Sequence, residues 1–148
     1  MTPFQLTIRR WTLLLDVLQI LIGCLVGFIP PTEVAWFRGI VMSHLEYIAN
    51  GMLMILFGFL VSELRLGKTA LRTWFVSLLV GTWFNGTAGV VGAFAGGSSH
   101  LMPTINEKFP APHGTSHPGV TGLLMICGIS MMIALTLTVV GLVKRPSE

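Results

Sequence analysis

Apolar residues fall into four runs, roughly 11–29, 39–61, 72–94 and 119–143. Each has about the 20 residues that a helix needs to cross a hydrocarbon core. Polar and charged residues collect in the connections. The pattern predicts an all-α integral membrane protein, a four-helix bundle forming one domain over residues 1–148. The first run is too long for a signal peptide, contains Asp16 and Gln19, and ends in Pro30-Pro31 without a small-residue cleavage pattern, so it is expected to remain as a helix. No internal repeat suggests a transporter built from inverted halves.

Helical periodicity indicates which faces meet. Asp16, Gln19, Gly23 and Gly27 form one polar and small stripe on the first span, with Gly23 and Gly27 spaced for close helix approach. On the third span Trp74, Ser77, Gly81, Asn85, Ala88 and Gly92 share a face. There Asn85 is either interhelical glue or a site residue. The connection 95–118 is rich in Gly, Pro, Ser and His and has no helical or strand period. It reads either as a lid over the outer mouth of a site or as a plain solvated loop.

Charge orients the chain. The formal net charge of +3 is carried by Arg9, Arg10, Arg65, Lys68, Arg72, Lys144 and Arg145 at alternate ends of the spans, while connections 30–38 and 95–118 are nearly neutral. The positive-inside rule then puts both termini in the cytoplasm. No basic surface interleaved with aromatics is present, which argues against a nucleic-acid partner. Cys24 and Cys127 lie within apolar runs and read as small buried hydrophobes.

The candidate chemistry sits in the second span, in the run Ser43-His44-Leu45-Glu46-Tyr47-Ile48-Ala49-Asn50-Gly51. An ionisable side chain at the centre of a spanning helix costs ~2.5 kcal/mol or more, so such groups face a bundle interior or a cavity and mark function. Taking His44 as zero, Tyr47 falls at about −60°, Ser43 at −100°, Asn50 at −120° and Glu46 at −160°. All five polar groups therefore occupy less than half the circumference. Glu46 is a candidate proton donor, and Asn50 and Asn85 are candidate orienting amides. Phe57, Trp74, Trp83 and Phe84 are candidate pocket walls whose alternative reading is ordinary core.

One intramembrane His is too few for zinc, which wants three or four protein ligands. His113 and His117 lie in a Pro/Gly-rich loop where their spacing defines no helix face. A haem with one face open for substrate needs a single protein ligand, and the sequence permits it.

His44-Leu45-Glu46 followed by Asn50-Gly51-Met52 resembles the second-helix motif of the hydroxylaminobenzene mutases, small four-helix membrane isomerases of bacterial nitroarene degradation. Leu64-Arg65-Leu66, Trp83-Phe84-Asn85 and the Gly-rich outer loop extend the likeness over most of the chain. More distantly, His44 with Asn50-Gly51, Lys68-Thr69-Ala70 and Trp83 to Asn85 are similar to motifs of the styrene oxide isomerases, which are trimeric and bind haem b. The resemblance implies an isomerase of the bacterial inner membrane that turns arylhydroxylamines into ortho-aminophenols. It also implies a homotrimer in the lipid bilayer acting on a small aromatic substrate, with haem b on His44 as axial iron ligand and Asn50 orienting substrate. The styrene oxide isomerases carry a Tyr after the Trp-x-Asn, whereas Gly86 to Gly89 here has none, and Tyr47 is the one phenol that could replace it. Two rivals remain open at this level: a haem-dependent epoxide isomerase, and a non-enzymatic haem-bearing membrane subunit.

Overall fold

The computed structural model describes residues 1–144; Arg145, which the charge argument used, lies outside them. The helices are α1 (Pro3–Val26), α2 (Phe37–Leu60), α3 (Lys68–Ala95), α4 (Pro103–Lys108) and α5 (Pro118–Val143), with a single 3-10 turn at Pro31–Glu33. The described residues contain no β-strand, only an isolated bridge between Ser99 and Ser116.

Helix α1 begins at Pro3 rather than at residue 11. A capping box starts it: the Gln5 amide donates to Thr2 Oγ1 and the Thr2 amide to Gln5 Oε1, with Pro3 in the first turn. Hydropathy marks where lipid begins, not where helical hydrogen bonding does. The first helix also differs from the expected spans in character. Three helices, α2, α3 and α5, are long and apolar enough to cross a membrane. In α1, Arg9, Arg10 and Asp16 interrupt the apolar run before the helix ends at Val26.

The long helices are neighbours in chain order: α1 lies on α2, α2 on α3 and α3 on α5, with a smaller contact between α1 and α3. Missing side chains make the α1–α2 contact close. A Cβ on Gly23 would come 2.9 Å from Tyr47 Cβ, and one on Gly51 would come 3.0 Å from the Asp16 carbonyl oxygen. The α1 face turned inward is the predicted stripe, with Thr12, Asp16, Gln19 and Gly23 buried. Gln19 Nε2 donates to the Thr82 carbonyl at 2.9 Å, which ties α1 to α3. Both Asp16 carboxyl oxygens and Gln19 Oε1 are buried without a hydrogen-bond partner among the described residues.

The main core lies at the end of the molecule away from connection 96–117. Ile8, Met54, Phe57, Val61, Leu64, Leu71, Trp74, Leu78 and Ala134 are buried together there. Phe57 meets Trp74 edge to face at 6.1 Å between centroids, and Trp74 Nε1 donates to Thr138 Oγ1 at 2.8 Å. Burying large aromatics with satisfied polar tips makes this end the rigid one. The outward faces of α1 and α5 are apolar, with Leu14, Val17, Leu21, Met125, Ile129 and Met132 exposed, as suits contact with lipid or another apolar surface.

The 96–117 connection is ordered, and it contains a helix that no sequence period announced. Gly96 ends α3 in the left-handed region at φ 65°, which reverses the chain. The Ser98 amide then donates to Gly114 and the His117 amide to Ser98, closing the segment into a loop. Within it, Asn106 Nδ2 donates to the Ser99 carbonyl at 2.8 Å, and Thr121 Oγ1 on α5 donates to Ser99 Oγ at 2.9 Å. Trp36 Nε1 donates to the Phe109 carbonyl at 3.2 Å, and the Arg38 guanidinium lies 4.3 Å from the Phe109 ring centre. These bonds hold α4 over the adjoining end of the helices.

Candidate active site

Moving around α2 from one face to the other, each polar side chain meets a different neighbour. His44 faces α1, where its Nδ1–H donates to the Gly23 carbonyl oxygen at 2.8 Å. A carbonyl can only accept, so this bond fixes the tautomer and leaves Nε2 with a free lone pair. Tyr47 is buried at the α1–α2–α3 junction. Its hydroxyl donates to Thr87 Oγ1 at 2.8 Å, and Thr87 donates in turn to the Trp83 carbonyl. Ser43 Oγ donates to the Gly86 carbonyl at 2.7 Å. The α3 glycines let these side chains in: a Cβ on Gly86 would overlap the Tyr47 ring at 2.6 Å, and one on Gly89 would overlap Ser43 Oγ.

Glu46 lies on the far side of α2. Asn85 Nδ2 from α3 donates to its Oε2 at 2.5 Å, and Asn50 Nδ2, one turn along α2, donates to the same oxygen at 3.4 Å. Its Oε1 has no hydrogen-bond partner among the described residues. The carboxyl borders a cavity of about 390 Å³ whose other lining residues include Met42, Asn85, Met102, Ile105 and Leu124. The cavity is polar where α2 and α3 meet and apolar elsewhere, an arrangement that holds a small arene with one polar substituent.

The structure thus brings together Glu46, Asn50 and Asn85 and sets two other candidates apart. Tyr47 spends its hydroxyl on Thr87 and does not line the cavity. His44 instead borders an apolar groove of about 310 Å³ with Cys24, Gly27, Phe28, Phe37, Ile40 and Val41. None of these residues lines the Glu46 cavity. Nor do the expected aromatic walls. Phe57 belongs to the core at the opposite end, Trp83 packs beside Tyr47 with centroids 6.3 Å apart, and Phe84 is partly buried outside the cavity lining. The cavity walls missed in the sequence are Met102 and Ile105, whose one local signal was Pro103 at a helix start.

The His44 groove suits a haem in the chemistry of its donor. An iron-binding imidazole commonly gives its second N–H to a backbone carbonyl, and His44 does so to Gly23. The surrounding side chains are apolar, and Gly27 leaves room at the ring, since a Cβ there would come 2.6 Å from His44 Nδ1. No cluster of three or more His, Cys, Asp or Glu that could hold a metal ion occurs among the described residues; in the groove the His44 imidazole is accompanied by the free Cys24 thiol.

Comparison with known proteins supplies the class of reaction. Hydroxylaminobenzene mutase HabB of Ectopseudomonas oleovorans is 30% identical over 142 residues, covering 95% of this chain and 85% of the relative. No solved structure gives a significant match. The profile of the styrene oxide isomerase family covers residues 8–143, nearly the whole chain. Both names denote isomerases, which sets aside the non-enzymatic subunit. An intramembrane carboxyl held by two amides beside an apolar cavity accords with that class, and the chain belongs to the styrene oxide isomerase family.

Proposed function

We propose that this isomerase is a mutase rearranging arylhydroxylamines to ortho-aminophenols in the bacterial inner membrane, with both termini in the cytoplasm. The observation that carries the reading is the Glu46 carboxyl: Oε2 takes both amide bonds, and Oε1 is left for a proton at an apolar cavity. The name of the HabB relative supports the choice of substrate.

The rearrangement involves no net redox change. As the N–O bond breaks, its electron pair leaves with oxygen, and Glu46 Oε1 gives that oxygen a proton, so that water departs instead of hydroxide. Water then bonds to the electron-poor ortho carbon and returns one proton to the Glu46 carboxylate. The ortho C–H proton moves to nitrogen as the ring becomes aromatic again. Asn85 and Asn50 hold Oε2 and so fix where Oε1 points. The apolar walls keep bulk water from diverting the electrophile to other ring positions.

His44 would hold haem b through Nε2, and the iron would supply a Lewis acid for the departing oxygen. Because His44 and Glu46 face separate pockets of one chain, this reading puts the complete site near an interface between copies, in a homo-oligomer that is trimeric by family resemblance. The exposed apolar faces of α1 and α5 support assembly within the bilayer.

The family profile favours a second reading, isomerisation of an aryl epoxide to an aldehyde. Against it stands the Gly86–Gly89 stretch, where the styrene oxide isomerases carry a Tyr and this chain closes a glycine onto the Tyr47 ring. The deciding experiment is product analysis of purified protein with phenylhydroxylamine and with styrene oxide, beside Glu46→Gln. Conversion of phenylhydroxylamine to 2-aminophenol, lost in the variant, supports the mutase. Conversion of styrene oxide alone selects the epoxide isomerase. The visible spectrum of wild type beside His44→Ala, before and after reduction, tests the haem: a Soret band lost with His44 supports it, and an active protein without one removes it.

A further inference from the structure

Part of the Glu46 cavity wall comes from outside the long helices, since residues Leu101 to Ile105 in the connection line it. Met102 and Ile105 are half-buried, while Leu101, Pro103 and Thr104 between and beside them are exposed. Three residues apart at the start of a helix, the first two share a face. That face lines the cavity together with Met42 from α2 and Leu124 from α5.

This wall has a fixed position. Asn106 binds it to Ser99, Ser99 is bonded to Thr121 on α5, and Phe109 is held by Trp36 and Arg38 at the start of α2. A wall anchored to two long helices keeps its shape as a ring packs against it, so its side chains set how well rings of different size fit. All four facing side chains are apolar and uncharged, so what they receive is a neutral hydrocarbon ring.

We infer that Met102 and Ile105 set how well aromatic rings of different size fit this isomerase, favouring one ring over a fused two-ring substrate. The inference rests on the mutase reading for its substrate class but concerns the cavity and not the bond broken. Its test compares kcat/KM for 1-naphthylhydroxylamine and phenylhydroxylamine in the full-length protein. Met102→Ala and Ile105→Ala should raise the ratio in favour of the two-ring substrate by about tenfold or more, the scale at which a hydrophobic pocket discriminates single methylene groups. Met102→Phe should lower it, which a merely loosened cap would not do. Val76→Ala, on an exposed part of α3 outside the cavity lining, should leave it unchanged.

Dissociation constants for 1-naphthylamine and aniline, which keep the ring and lack the N–O bond, should shift in the same sense. An unchanged ratio in the Met102 and Ile105 variants, with phenylhydroxylamine still rearranged by wild type, overturns the inference. A shifted amine ratio without turnover of either hydroxylamine leaves the wall standing and removes the mutase reading instead.

Discussion

Helix α2 presents two faces built on opposite principles. Towards α1, His44 meets a backbone carbonyl and a mostly apolar groove, so its free ring nitrogen and the Cys24 thiol are the donors offered there. Towards α3 and the cap, Glu46 is held by two amides and opens on a cavity with mixed walls. The first face offers a ring nitrogen free to bind a group, and the second offers a carboxyl oriented by two amides. On the proposed reading, one helix thus carries a haem-holding face and a reacting face. The two can be broken independently.

The sharpest break is Glu46→Gln, which keeps the shape and hydrogen-bonding size of the side chain but removes the proton carrier. Turnover of phenylhydroxylamine should fall by about 10²–10⁴-fold, the usual contribution of a positioned acid or base. The spectrum of any haem should be unchanged, and a spectral change would mean that the faces are not independent. Next, Asn85→Ala should cost about 10–100-fold in kcat, because a hydrogen bond to a charged group contributes about 1.5–3 kcal/mol. Asn50→Ala should cost less, since its bond to the same oxygen is 3.4 Å long. Equal losses at the two positions would contradict the geometry.

On the other face, Gly27→Ala should press on the His44 ring and cost about 1–3 kcal/mol through overpacking. It should weaken a His44-dependent Soret band while leaving amine binding at the Glu46 cavity intact, a combination read by absorbance and titration together. The smallest effect expected is that of Tyr47→Phe. It removes a hydrogen bond to Thr87 worth about 1 kcal/mol, which thermal unfolding should register, and leaves turnover near wild type. A large loss of turnover would return Tyr47 to the reacting groups, where its place in the sequence first suggested it.

The angular reading of α2 was sound as far as it went. The order His44, Tyr47, Ser43, Asn50, Glu46 around the helix is the order in which the structure meets α1, then the junction, then α3, then the cavity. A helical wheel carries no information on which helix will stand opposite each sector. The five groups therefore looked like one site when their arc spanned three surroundings. Asn85 bridges α3 and α2 through the Glu46 carboxyl and also lines the cavity, so glue and site remain compatible readings of it. Phe57, Trp83 and Phe84 do not line the Glu46 cavity, because any large apolar ring inside a bundle is favourable core, and Phe57 takes that place. Helix α4, at six residues, is too short for a hydrophobic period to register, and its stability comes from side-chain bonds to Ser99 and Phe109 that link distant positions.

The stripe of Thr12, Asp16 and Gln19 on α1 bears on how the chain enters the bilayer. Helices α2, α3 and α5 are apolar enough to be inserted on their own, whereas α1 exposes two arginines, a carboxyl and an amide if it stands alone. Its polar face is sheltered only once α2 and α3 are present to bury Asp16 and to receive the Gln19 amide at Thr82. On the reading that α1 also lies in the bilayer, it depends on helices that follow it in the chain to stay there. Insertion of α1 is then expected to follow that of α2 and α3, and truncation after α1 should yield a segment that the translocon does not retain.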